Sequence, residues 1–152
     1  MASMHEIRRL AFQTLFQLDA RGEVDSRDIR ESIESVEELH QFDAKERRQA
    51  FGLASGAYAH RAQADAAMKE LAPTWPAHRQ AAVDRAILRL AHFEMLHTPT
   101  PPKIVVNEAV ELAKEFSTDR SPAFVNGLLD KILRKVRSGP AVPGEPAPPE
   151  AS

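Results

Sequence analysis

Apolar residues recur every three or four positions along most of the chain, which is the spacing of an amphipathic helix. The last stripe is the clearest, because Val125, Leu129 and Val136 are separated by four and seven residues, which is close to one and two helical turns. The run 104–106 alone could be mistaken for a strand, but its stripe continues to Phe116, and that length favours a helix. No segment shows the strict alternation of a half-buried strand. The sequence therefore predicts an all-α helical bundle.

Turn and cap signals divide this pattern into six predicted helices. They span residues 5–19, 25–39, 43–71, 75–97, 104–116 and 121–136. Asp43 followed by Glu46 is typical of a capping box, and Pro76 and Pro122 suit the first turn of a helix. Ser121 is the predicted cap of the last helix. The segment 98–102 contains three prolines and cannot continue a helix, because proline lacks an amide hydrogen.

Composition indicates one folded domain over residues 1–137 and a disordered tail over residues 138–152. The tail contains five prolines and offers almost nothing to bury. Over the whole chain, 43% hydrophobic and 28% charged residues are typical of a soluble globular protein. The longest apolar runs fall far short of the roughly 20 residues that cross a bilayer. We therefore expect a cytoplasmic protein with no membrane segment.

The residue pattern predicts neither an enzyme nor a cofactor. The chain has no cysteine, which excludes disulfides and thiolate nucleophiles or ligands. No two of its six histidines have the spacing that directs two rings at one metal ion, so no metal site is predicted. His92, Glu94 and His97 are expected to be solvated. No phosphate-binding glycine loop and no nucleophile elbow occurs.

The first predicted helix has a second face that its apolar stripe does not explain. Arg9, Phe12, Gln13 and Phe16 lie opposite the stripe on a helical wheel. Aromatic rings that stack on bases, together with arginines that hold phosphates, are typical of single-stranded RNA recognition. The alternative is a helix buried on both sides. A net charge of −2 means that any RNA binding must be local.

Polar residues also mark the later helices. Asp84, Arg85, Arg89 and His92 lie opposite the apolar stripe of their helix. Lys114 and Lys131 are predicted to project from the two helices that follow. Asn107 and Asn126 are unusual, because asparagine is a poor residue for a helix interior unless a hydrogen bond or a ligand compensates. A structural hydrogen bond remains an equal alternative for each asparagine.

Three segments of the C-terminal half resemble a known family. They are DRAILRLA at 84–91, VNEAVELAK at 106–114 and FVNGLLDK at 124–131. Their order and spacing resemble the NusB family of transcription antitermination proteins, over about residues 8–136. The resemblance implies an all-helical fold of two small helical subdomains packed together.

The same resemblance implies a function. Proteins of this family bind the boxA RNA element together with NusE, which is also a small-subunit ribosomal protein. The pair joins an elongating RNA polymerase complex and promotes read-through, notably in ribosomal RNA operons. No catalysis is implied.

The resemblance also suggests which residues contact RNA or a protein partner. They are Arg8, Arg9, Gln13, Phe16, Asp84, Arg85, Lys114, Phe124 and Asn126. Many relatives begin with a longer arginine-rich run, whereas this chain has only Arg8 and Arg9 near its start. Since each phosphate contact contributes to affinity, we expect weak RNA binding by the protein alone.

Two other functions are compatible with the sequence. The chain could be a helical module in transcription or ribosome biogenesis that binds only protein, as its net charge and short basic start suggest. NusB-like domains also resemble the N-terminal part of certain ribosomal RNA cytosine methyltransferases. A proline-rich tail from residue 138 leaves no room for a catalytic α/β domain, so we do not expect a methyl-donor site.

Overall fold

A computed structural model describes residues 1–21 and 24–137, and within these ranges the chain is helical throughout its regular structure. The helices are α1 (Met4–Leu18), α2 (Ser26–Glu34), α3 (Ala44–Ala59), α4 (Arg61–Leu71), α5 (Ala82–His97), α6 (Pro102–Phe116) and α7 (Ser121–Arg137). Short 3-10 helices at Glu37–Gln41 and Ala77–Arg79 precede α3 and α5. The described ranges contain no strand, which confirms the all-α prediction. The predicted disordered tail, 138–152, lies outside the described residues.

Local cap signals explain where several helices begin. The side chain of Asp43 accepts a hydrogen bond from the amide of Glu46, and the Glu46 carboxylate accepts one from the amide of Asp43. This is the predicted capping box of α3, and it is confirmed. Both α1 and α2 begin with the same reciprocal arrangement. Each box satisfies backbone amides that have no partner inside the helix.

Three predicted helix boundaries are wrong. The second helix ends at Glu34 rather than near residue 39, and the chain enters a 3-10 helix instead. The predicted helix 43–71 is interrupted at His60, since α3 packs against α1, α2 and α5 while α4 packs against α5 and α7. The fourth predicted helix begins at Ala82 and not at Trp75, because Gln80 is buried and its side-chain amide donates to the Trp75 carbonyl oxygen.

The helices share one principal core, with α5 at its centre. Helix α5 packs against α1, α3, α4, α6 and α7. Buried residues from all seven helices meet there, and Ile87, Leu112 and Leu129 are among the most deeply buried. The principal core extends from α1–α4 to α5–α7, so these two groups of helices cannot separate without exposing it. None of the described helices is long and apolar enough to cross a membrane.

Candidate functional site

Three phenylalanine rings meet at an open groove between α1 and α6, which we call the aromatic groove. The ring centroid of Phe12 lies 5.0 Å from that of Phe116 and 6.3 Å from that of Phe16. Phe12 is 2% exposed, whereas Phe16 is 43% and Phe116 36% exposed. The groove has a volume of about 530 Å³. Its other lining residues are Gln13, Gln17, Ser35, Val36, Glu38 and Val83.

The groove exists because α1 is buried on more than one side. This helix packs against α2, α3 and α5. The prediction that Phe12 faces away from the core is therefore wrong, because its ring is part of the principal core. Gln13 and Phe16 do lie in the groove at the surface. Phe12 is therefore buried, as the alternative of a helix buried on both sides predicts. Gln13 and Phe16 are accessible, as the surface-face interpretation predicts.

The two arginines near the start of α1 have different environments. Arg8 is 5% exposed, and its Nε donates to both carboxylate oxygens of Glu94 at 2.9 and 3.0 Å. Such burial does not fit the expectation that Arg8 contacts RNA or a partner. Arg9 remains partly exposed, with its Nε 3.5 Å from a carboxylate oxygen of Glu115 on α6. Of the two, only Arg9 lies at the surface.

A carboxylate–histidine contact also connects α1 to α6. His5 Nε2 lies 2.6 Å from Glu115, and its Nδ1 contacts Glu108. Partial burial lowers the pKa of His5, but the hydrogen bonds to Glu115 and Glu108 outweigh that effect and raise it overall. The start of α1 is therefore held against α6 most firmly when His5 is protonated.

Asp84 is an internal anchor rather than a surface residue. Its carboxylate is buried and accepts hydrogen bonds from the hydroxyls of Ser117 at 2.7 Å and Ser121 at 2.9 Å. These bonds attach the first turn of α5 to the connection between α6 and α7. Val83, the residue before Asp84, lines the aromatic groove together with Phe116. The Ser121 hydroxyl, which the sequence assigned to helix capping, thus binds Asp84.

Arg85 and Arg89 form an ion-pair network with two aspartates. Arg85 Nε donates to Asp19 at 2.9 Å and its Nη1 to the Ala77 carbonyl oxygen at 2.7 Å. Arg89 donates to Asp65 at 2.9 and 2.7 Å and to Asp19 at 3.2 Å. The hydrogen bond from Arg85 lowers the pKa of Asp19 more than burial raises it. The Arg85 guanidinium is therefore engaged inside the protein.

The remaining predicted contact residues lie outside the aromatic groove. Lys114 is exposed and its Nζ lies 3.2 Å from Glu111 on the same helix. Phe124 packs partly buried against the principal core, and Asn126 is exposed on α7. The structure thus brings Gln13 and Phe16 together in the groove. It does not bring Lys114, Phe124 or Asn126 to them there.

The histidine and carboxylate cluster that was expected to be solvated is largely internal. His92 and Glu94 are buried, so the prediction is wrong for both. Burial lowers the pKa of His92 and raises that of Glu94, while the charge of Arg8 opposes the shift of Glu94. Across 1–21 and 24–137, no three histidine, aspartate or glutamate side chains are placed to hold a metal ion.

Only Gln13 and Phe16 of the nine groove residues were among the predicted contacts, and Phe116 was missed. The sequence placed Phe116 at the end of an apolar stripe, yet its ring lines the aromatic groove. A usable signal does exist for Phe116, because it is the last residue of its stripe and is followed by Ser117, Thr118 and Asp119. A ring at the end of a helix has less cover than one in the middle.

The fold and the groove together define a class: an all-helical protein that presents a surface of aromatic rings and amides. Comparison with known proteins identifies the family. The family model described as "NusB family" matches residues 5–134. The chain belongs to the NusB family.

Named relatives and solved structures agree with this assignment. Transcription antitermination protein NusB of Elusimicrobium minutum is 39% identical over 141 residues, which cover 91% of this chain and 99% of the relative. The structure of T. maritima NusB is similar with a TM-score of 0.77 at 29% identity, covering 88% of this chain and 92% of that one. A structure of the antitermination factors NusB and NusE in complex with dsRNA gives a TM-score of 0.74 at 26% identity, covering 86% and 96%.

Proposed function

We propose that this protein is a transcription antitermination factor that binds boxA-type RNA together with NusE. In this proposal the pair joins elongating RNA polymerase in the cytoplasm and promotes read-through in ribosomal RNA operons. The protein acts by binding and catalyses no reaction. The observation that carries the proposal is the aromatic groove, with two phenylalanine rings held partly exposed beside a buried third.

The groove is suited to a protein partner more than to phosphates. Aromatic side chains in well-packed surface pockets contribute much of the binding energy at protein interfaces. The lining residues include amides and one carboxylate but no lysine or arginine. We assign the groove, through Phe16, Gln13 and Phe116, to the NusE contact.

The RNA contacts are assigned to surface residues outside the groove. Arg9 and Lys114 carry exposed charge for phosphates, while Phe124 and Asn126 offer a ring and an amide for bases. Arg8, Asp84 and Arg85 support the surface by holding helices in place and are not assigned direct contacts. The NusB–NusE complex with dsRNA supports an RNA-plus-partner function for a protein of this family.

The test is fluorescence anisotropy of a labelled boxA-type RNA, titrated with the protein alone and with NusE. We expect weak binding alone, tighter binding with NusE, and weaker binding when salt rises from about 50 to about 200 mM. A lack of binding under every condition would contradict the RNA part of the proposal. It would favour the alternative of a module that binds only protein, which the absence of cations from the groove also suggests.

A matched pair of variants tests the groove itself. Phe16→Ala should weaken NusE binding by about tenfold or more, because it removes a half-exposed aromatic anchor. Ile104→Ala is the control, since Ile104 is 45% exposed on α6 and lies outside the groove lining. Equal NusE affinity for the two variants would show that the groove is not the partner site.

A further inference from the structure

A second open cleft lies between the end of α1, α4, α5 and the 3-10 helix Ala77–Arg79. It has a volume of about 830 Å³ and shares only α1 and α5 with the aromatic groove. We call it the basic cleft, because its lining contains four lysine or arginine side chains and two aspartates. These charged residues are Arg61, Lys69, Arg85, Arg89, Asp19 and Asp65. The excess of two positive charges contrasts with a whole-chain net charge of −2.

Two cations of the cleft have no carboxylate partner among the described residues. Arg85 and Arg89 are engaged with Asp19 and Asp65, so these four side chains largely neutralise one another. Lys69 is exposed and makes no ion pair with any residue in the described ranges. Arg61 Nη1 donates to the Tyr58 carbonyl oxygen at 2.8 Å, and the Arg61 guanidinium lies 3.9 Å from the centroid of the Tyr58 ring, so its charge has no carboxylate partner within the described ranges.

The two cations without a carboxylate partner lie on one helix, α4. Arg61 and Lys69 are eight residues apart on α4, which corresponds to roughly 12 Å along a helix. Both line the same cleft. Two positive charges at this separation can contact different phosphates of an extended strand, whereas a single phosphate group cannot reach both.

An exposed aromatic residue stands beside the cleft. Trp75 is the only tryptophan of the chain and is 43% exposed, and the next residue, Pro76, lines the cleft. The guanidinium of Arg79 lies 5.3 Å from the centroid of the Trp75 ring. Single-stranded nucleic acids are bound by this combination, in which an aromatic ring stacks on a base and nearby cations follow the backbone.

We propose that the basic cleft is a second contact site for single-stranded RNA. Arg61 and Lys69 bind phosphates, and Trp75 stacks on a base with Arg79 beside it. The inference rests on the proposed function only for its ligand class, RNA, because the residues are different from those assigned above. An RNA strand fits the observations better than a protein segment, since the charge that has no carboxylate partner in the cleft is positive.

The experiment uses the fluorescence of Trp75 as a direct reporter. An oligouridine of about twelve nucleotides is titrated into the full chain, and quenching is followed together with the anisotropy of a labelled copy. Since the chain has one tryptophan, quenching reports this location alone. We expect saturable quenching in the wild type.

Variants separate the roles of the residues. Trp75→Ala should weaken anisotropy-detected binding by about tenfold, and Trp75→Phe should restore most of it, because a ring is retained. Lys69→Ala should lower the slope of log affinity against log salt by about 0.7, the value for one phosphate contact on a single strand. Lys103→Ala removes an exposed cation from α6 outside the cleft and should leave the quenching unchanged.

The outcomes distinguish this inference from the proposed function. One outcome is that Trp75→Ala and Lys69→Ala bind RNA as tightly as the wild type while Phe16→Ala loses NusE binding. In that case the basic cleft is not an RNA site and the proposed function stands. If the cleft variants lose RNA while Phe16→Ala keeps NusE, the cleft is supported and the groove assignment falls. The inference is overturned if the wild type shows no quenching. It is also overturned if the cleft variants lose NusE binding while their RNA affinity is unchanged.

Discussion

Replacing Arg8 with methionine tests the buried contact between α1 and α5. The side chains of Arg8 and Glu94 are 6% and 3% exposed, and the Arg8 Nε lies 2.9 Å from the nearer Glu94 oxygen. Removing one member of such a pair leaves an uncompensated buried charge, which destabilises a protein by about 3–5 kcal/mol. For a chain of this size we expect the melting temperature to fall by roughly 6–20 °C.

The loss of stability in Arg8→Met should be larger at high pH than at low pH. Burial raises the pKa of Glu94, and the charge of Arg8 partly opposes that shift. Without Arg8 the pKa of Glu94 rises further, so the folded form takes up a proton more readily than the unfolded chain. The carboxylate therefore destabilises the variant most at high pH, and this effect decreases as the pH falls toward the ordinary pKa of a glutamate.

Urea unfolding followed by circular dichroism measures the effect, at about pH 8 and about pH 5. The loss of unfolding free energy in Arg8→Met should be smaller at pH 5 by about 1.4 kcal/mol or more, the equivalent of one pKa unit. A loss below about 1 kcal/mol at both pH values, or an equal loss at both, would refute a buried, charge-compensating pair.

Two controls identify the cause. Arg27→Met breaks an exposed pair with Glu31, whose side chains are 85% and 57% exposed, and should change stability by less than about 1 kcal/mol. A double variant, Arg8→Met with Glu94→Leu, removes both charges and should recover most of the lost stability, because apolar replacements of buried pairs are often neutral.

Two further predictions concern packing and acid stability. Gly56→Ala should destabilise the protein by about 1–3 kcal/mol, because the new Cβ would lie 2.1 Å from the Phe93 ring. The new Cβ of Gly52→Ala meets nothing within 4 Å, so this variant should stabilise the protein by about 0.5–1 kcal/mol. Thermal melts that gave Gly56→Ala the higher melting temperature would contradict this prediction. Asp19→Asn should reduce stability at neutral pH and weaken its loss in acid, since Arg85 lowers the pKa of Asp19 and the pairing is lost only as the pH falls through that value. Identical acid unfolding curves for wild type and variant would refute the second prediction.

Much of the fold could be predicted because it depends on local physics. The stripe of α7, the capping box at Asp43 and the prolines before α6 each act within a few residues of the chain. The break at His60 could not be predicted in this way. It depends on α4 packing against α5 and α7, which is a contact between distant segments.

The candidate site was predictable only in part, for the same reason. A helical wheel places Gln13 and Phe16 on one face, and both do lie in the aromatic groove. It could not show that Phe12, on the same face, would be buried. The wheel describes one helix, whereas burial depends on the neighbouring helices.

The sequence by itself determined the all-helical fold class, the approximate limits of α1, α6 and α7, and the family that its motifs resemble. The tertiary structure alone decided the role of each charged residue. Arg8, Arg9 and Arg85 are alike in chemistry, yet one is buried against Glu94, one is partly exposed and one binds Asp19. Helix periodicity is a short-range property, but the energy of a charge depends on its burial and on partners that folding brings from elsewhere in the chain.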